Sequence, residues 1–208
     1  MSATTHRALR LALASLLFVA LVAQLAIGMS RASLTMINFF SFFTILSNTM
    51  AVVLLSLLAT RSGLTTAEWF PLFRGAVTVY MSVTGLVYAL VLAPTNIDVG
   101  LTEPWVNWSL HVVGPLGVLL DWVYARPESQ LPRNAPLLWL GFPAAYLVYT
   151  LVRGALVDWY PYPFLDPSQT GGYRGVALWS VAVLVIILAF SVAIHWWSNR
   201  DRGVPVTA

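Results

Sequence analysis

Long apolar stretches alternate with short polar ones along the whole chain. Six stretches nearly free of Arg, Asp and Glu run from Leu11 to Met29, Ile37 to Thr60, Gly75 to Ala93, Trp105 to Tyr124, Pro136 to Val152 and Val176 to Trp196. A hydrocarbon core of roughly 30 Å takes about 20 helical residues to cross. Each stretch is close to that length, so the pattern predicts an all-α membrane protein, a single six-transmembrane-helix bundle spanning residues 1–208. The first stretch follows Arg7 and Arg10 and holds Ala20, Ala23 and Ala26, which a cleaved signal would also show. Its apolar run exceeds a signal core and five more follow, so it reads as a retained helix.

Composition sharpens this picture. The chain of 208 residues is 59% hydrophobic and 9% charged, with a mean hydropathy of +0.78. Soluble domains carry roughly 25% charged residues, too many for this chain to resemble them. Cysteine is absent, which excludes disulfides, thiolate zinc sites and a cysteine nucleophile. All 11 basic residues are arginine, and a net charge of +3 spread this thinly excludes a nucleic-acid partner, which needs clustered positive charge.

Arginine placement predicts orientation, because cytoplasmic loops near span ends collect positive charge. With six spans, the N-terminus, the second and fourth loops and the C-terminus share one side. That side holds Arg7, Arg10, Arg61, Arg74, Arg126, Arg133, Arg200 and Arg202; the other holds Arg31, Arg153 and Arg174. Both termini are therefore expected in the cytoplasm. Trp69, Trp105, Trp108, Trp122, Trp159, Trp196 and Trp197 fall near predicted span ends, where amphipathic rings favour the headgroup region. The longest connection, Arg153 to Gly175, contains DWYPYPFLDP and then Gly171-Gly172. That density of Pro and Gly forbids a regular helix. The loop reads either as an interfacial anchor built on Trp159, Tyr160, Tyr162 and Phe164 or as a lid over an outward-facing pocket.

Polar chemistry concentrates on two spans. Leaving aside tyrosine, and His195 beside Trp196 and Trp197 at the inner end of the sixth stretch, the apolar cores hold two titratable side chains, His111 and Asp121, both on the fourth span. An aspartate at membrane depth costs about 2.5 to 3.5 kcal/mol on insertion scales, so such groups need a compensating reason. In a regular helix Asn107, His111, Gly114 and Asp121 share an arc of roughly 80°, and Pro115 removes a backbone donor beside them. The second span carries Asn38, Ser41, Thr44 and Asn48 within roughly 120°. Counted inward from Met36 and Trp105, Thr44 lies ~12 Å deep and His111 ~9 Å. A neutral imidazole within reach of a threonine hydroxyl can take its proton, so Thr44 and His111 form a candidate nucleophile and base for acyl transfer. Asn48 or Asn107 is expected to donate to the oxyanion. Asp121 is ~15 Å along the helix from His111 and is expected to pair with Arg126 or Arg133, or to bind a polar group in a second chamber. The alternative for Thr44 is a hydroxyl bonded to its own helix backbone. No histidine lies at ligand spacing from His111, so no metal is expected, and acyl transfer by this pair requires no cofactor.

The segments FFSFFTILSN, NWSLHVVGPLGVLLDW and YPYPFLDP, in this order, resemble the androgen-induced and androgen-dependent tissue-factor-pathway-inhibitor-regulating protein family. The closer similarity is to its bacterial branch of six-span integral membrane regulators. The resemblance implies a location in the bacterial cytoplasmic membrane. For the animal members it implies threonine-dependent hydrolysis of fatty acid esters of hydroxy fatty acids by one intramembrane threonine and one intramembrane histidine. Those two positions fall on Thr44 and His111. The expectation is an intramembrane lipid-ester hydrolase whose partners are membrane lipids and an amphiphilic acyl ester. A non-catalytic regulator or lipid-binding protein presenting the DWYPYPFLDP loop, and a small transporter or channel, are the alternatives; the second expects polar groups through the full thickness of the bundle.

Overall fold

The computed structural model describes residues 2–30, 34–60, 63–95 and 103–200; Arg31, Arg61 and Arg202 of the charge count lie outside them. Within these residues the fold is entirely helical. The helices are α1 (Ala3–Ser30), α2 (Met36–Phe39), α3 (Phe43–Thr60), α4 (Phe70–Val87), α5 (Pro104–Trp108), α6 (Gly114–Tyr124), α7 (Ala135–Leu138), α8 (Gly141–Val157), α9 (Pro167–Thr170) and α10 (Tyr173–Asn199). A π turn, Tyr88–Leu92, extends α4, and another, Ser109–Val113, joins α5 to α6. Five helical segments among the described residues are long and apolar enough to cross a membrane: Ala3–Ser30, Phe43–Thr60, Phe70–Leu92, Ala135–Val157 and Tyr173–Asn199. The predicted fourth span falls on the path α5–π turn–α6.

Burial departs from the soluble-protein pattern on the outer surface. Leu17, Leu54, Val77, Met81 and Leu110 are packed between α1, α3, α4 and the Ser109–Val113 turn. Around α8 and α10 the outward positions Val148, Leu156, Leu178 and Val185 are exposed and apolar. Apolar side chains facing both inward and outward are what a helix surrounded by lipid requires. Close packing relies on small residues: a Cβ at Gly85 of α4 would stand 2.9 Å from Pro115 Cβ. Gly85 is one of the small residues that let α4 and α6 approach.

The predicted second span, continuous from Ile37, is broken at Phe40–Phe42 into α2 and α3. Thr35 caps α2 by accepting from Asn38 N at 3.2 Å, and Ser41 Oγ donates to Ile37 O at 2.7 Å. The break leaves the first-turn N–H groups of α3 without acceptors on their own helix, as at any helix start. One belongs to Thr44.

Candidate active site

Thr44 (first turn of α3), Tyr88 (π turn after α4), His111 (π turn between α5 and α6) and the loop between α8 and α9 meet at one end of the bundle. Thr44 and His111 are buried, at 6% and 2% exposure. Thr44 Oγ1 lies 3.2 Å from His111 Nε2. The other ring nitrogen, Nδ1, lies 3.2 Å from the backbone carbonyl of Asn107. A carbonyl only accepts, so Nδ1 carries the proton and Nε2 presents its lone pair to the threonine hydroxyl. Tyr88 stacks on the imidazole with ring centroids 4.3 Å apart and planes at 21°. Asn107 Nδ2 in turn donates to Tyr88 Oη at 2.6 Å, so the ring is clamped from its face and from its edge.

Tyr88 and His111 both lie on π turns, and such turns recur at functional sites. In an α-helix Leu110 O would accept from Gly114 N, but that N–H donates to Ser109 O. The next donor in the π register would be Pro115, which has none. Asn48 Nδ2 fills the gap, donating to Leu110 O at 3.1 Å and to Thr44 O at 2.8 Å. Both Asn48 amide hydrogens are thereby engaged in tying α3 to the turn that carries His111. An oxyanion role would require one of them to leave its carbonyl.

The remaining polar candidates lie elsewhere. Asn38 Oδ1 accepts from Arg153 Nη2 at 2.6 Å, and Ser41 Oγ is 2.8 Å from Tyr149 Oη, so both face α8. Asp121 does not pair with Arg126 or Arg133. Its carboxylate accepts from Arg10 Nε at 2.6 Å and Arg74 Nη2 at 2.8 Å, bringing α1 and α4 onto α6. Arg126 instead donates to Trp197 O at 2.6 Å. Sequence proximity suggested Arg126 and Arg133; the ion pairs run between helices. A π turn also takes one residue more than an α turn, so the face computed for a regular helix does not carry over from His111 to Asp121. Trp122 does lie in the last turn of α6, but its ring is buried rather than exposed, and the Arg74 guanidinium lies 5.4 Å from its centroid.

Tyr162 was not among the candidate site residues. Its hydroxyl accepts from Thr44 N at 3.2 Å and lies 3.3 Å from Thr44 Oγ1. The only signal for it was its place in the Pro-rich aromatic loop. Burial pushes its phenol above the ordinary range, against the opposing effect of the Thr44 hydrogen bonds, so it keeps its proton.

Thr44 also lines a cavity of about 350 Å³ whose other walls include Thr84, Tyr88, Leu147 and Phe164. The half-exposed side chains of Val181 and Leu184 line it too, so it reaches the molecular surface beside α10. Its volume is within the range of small-molecule sites, and its walls are almost wholly apolar. A void of about 10 Å³, room for a single water, touches Thr44, His111 and Gln24 from the α1 side.

Comparison with protein-family models, curated proteins and solved structures gives no match. The geometry alone carries the functional argument.

Proposed function

We propose that the protein is an intramembrane hydrolase of lipid esters, with Thr44 as nucleophile and His111 as general base and then general acid. The observation that carries this reading is the 3.2 Å contact between Thr44 Oγ1 and His111 Nε2, with His111 Nδ1 against the Asn107 carbonyl, beside an apolar cavity that Thr44 lines. His111 accepts the hydroxyl proton as Thr44 attacks the ester carbonyl, then returns it to the departing alcohol. The acyl chain enters from lipid beside α10 and lies in the cavity, which places the ester at Thr44. Water for deacylation approaches from the Gln24 side. Six spans with both termini cytoplasmic, and membership of the family named above in a bacterial cytoplasmic membrane, belong to the same proposal. The regulator reading has less support: Tyr162 and Leu165 of the loop are turned into the fold rather than presented to a partner.

In lipid nanodiscs the wild-type chain is expected to hydrolyse long-chain acyl esters. Thr44→Ala and His111→Ala are expected to lose about 10³-fold or more in kcat, as removal of a nucleophile or its base does elsewhere. Equal rates in all three proteins would refute the assignment.

A further inference from the structure

Attack on a carbonyl moves charge onto its oxygen, and a donor held ready for that charge is commonly the largest single catalytic contribution. Asn48 gives both amide hydrogens to carbonyls, and Asn107 gives one of its two to Tyr88. Tyr162 Oη, by contrast, touches Thr44 Oγ1 itself. Its ring is fixed, parallel to Phe164 at 5.2 Å and 4° and edge-on to Phe42 at 5.7 Å. Beside it, the Thr44 N–H at the start of α3 has no other acceptor among the described residues than this phenol oxygen.

We propose that Tyr162 is a catalytic residue of the Thr44 site, its hydroxyl and the Thr44 N–H together binding the oxyanion of the tetrahedral intermediate. The inference rests on the hydrolase reading above. Before substrate enters, Thr44 N–H donates to Tyr162 Oη, Tyr162 O–H donates to Thr44 Oγ1, and Thr44 O–H donates to His111 Nε2. On attack the bond from Oγ1 to the carbonyl carbon forms, the hydroxyl proton moves to His111 Nε2, and the π pair moves onto the carbonyl oxygen. Oγ1 is then a poor acceptor, and both donors turn to the oxyanion beside it. Collapse restores the carbonyl and breaks the bond to the alcohol oxygen, which leaves with the proton from His111. Water then attacks the acyl-threonine by the same steps, its proton passing through His111 to Oγ1, and the acid is released.

The test uses the full chain in nanodiscs with a long-chain p-nitrophenyl ester, and an alkyl trifluoromethyl ketone as a probe that forms an oxyanion-bearing adduct. Tyr162→Phe keeps both ring contacts and removes only the hydroxyl. It is expected to lower kcat by about 10²- to 10³-fold with KM within about twofold, and to weaken the ketone by a similar factor. Tyr160→Phe, on the same loop, is expected to keep wild-type values. Tyr162→Phe retaining kcat, or losing activity through KM with the ketone's affinity unchanged, would overturn the proposal while Thr44→Ala remains inactive. Wild-type turnover in Thr44→Ala would instead overturn the parent reading and this proposal with it.

Discussion

Asn48 shows how one side chain can hold a site that it does not enter. Its amide satisfies Leu110 O, a carbonyl deprived of its helical donor by the π turn and by Pro115, and so fixes where His111 stands relative to Thr44. Asn48→Ala leaves that carbonyl buried without a partner and is expected to destabilise the fold by about 1–3 kcal/mol, read from denaturant unfolding. An unchanged unfolding midpoint would mean the tie is dispensable. The polarity of Thr44, Asn48 and His111 was legible in the sequence because hydroxyl, amide and imidazole groups stand out within apolar spans. What the amide bonds was not legible, because a π turn leaves no mark beyond Pro115. Tyr162 was hidden for another reason: an aromatic residue among Pro, Tyr and Phe in a loop reads equally as a headgroup anchor.

At the scale of elements, the loop following α8 delivers Tyr162, and its docking depends on one glycine. A Cβ at Gly154 would stand 2.0 Å from Tyr160 Cε1, so that ring lies directly against the α8 backbone. Asp158, in the left-handed region at φ 51°, turns the chain out of α8 just before it. Gly154→Val is expected to displace Tyr160 and the Tyr162 that follows, lowering ester hydrolysis about tenfold or more while the helices persist by circular dichroism. Full activity would show that the loop is held by other contacts. The Pro and Gly content announced an irregular loop, and the fold has one. The break at Phe40–Phe42 was not announced, since FFSFF reads as apolar helix. That break splits the polar stripe, sending Asn38 and Ser41 toward α8 and Thr44 and Asn48 toward His111.

Across the whole molecule, two polar clusters lie far apart among the described residues. One is the Thr44 site, and the other is a largely buried ion cluster of Arg10, Asp121 and Arg74 from α1, α6 and α4. Asp121→Ala would leave two guanidinium groups without their carboxylate, one of them at 7% side-chain exposure. The expected cost is about 3–5 kcal/mol, visible as a large fall in thermal midpoint, whereas an exposed ion pair is worth 1 kcal/mol or less by the same measurement. A small change would contradict the cluster's role as the clamp between these helices. Hydropathy placed helices on all six predicted stretches because the 20-residue scale of the bilayer is written directly into the chain. Which helices pair was beyond it: the partners of Asp121 come from sequence positions 47 and 111 residues away.

The central claim is that Thr44 is a nucleophile activated by His111, and covalent capture tests it most directly. Membranes carrying the protein are treated with a long-chain fluorophosphonate, and the adduct is mapped by peptide mass spectrometry. The account predicts one phosphonylated residue, Thr44, with labelling abolished in Thr44→Ala and strongly slowed in His111→Ala. An adduct on another residue, or labelling that persists in both variants, would contradict it.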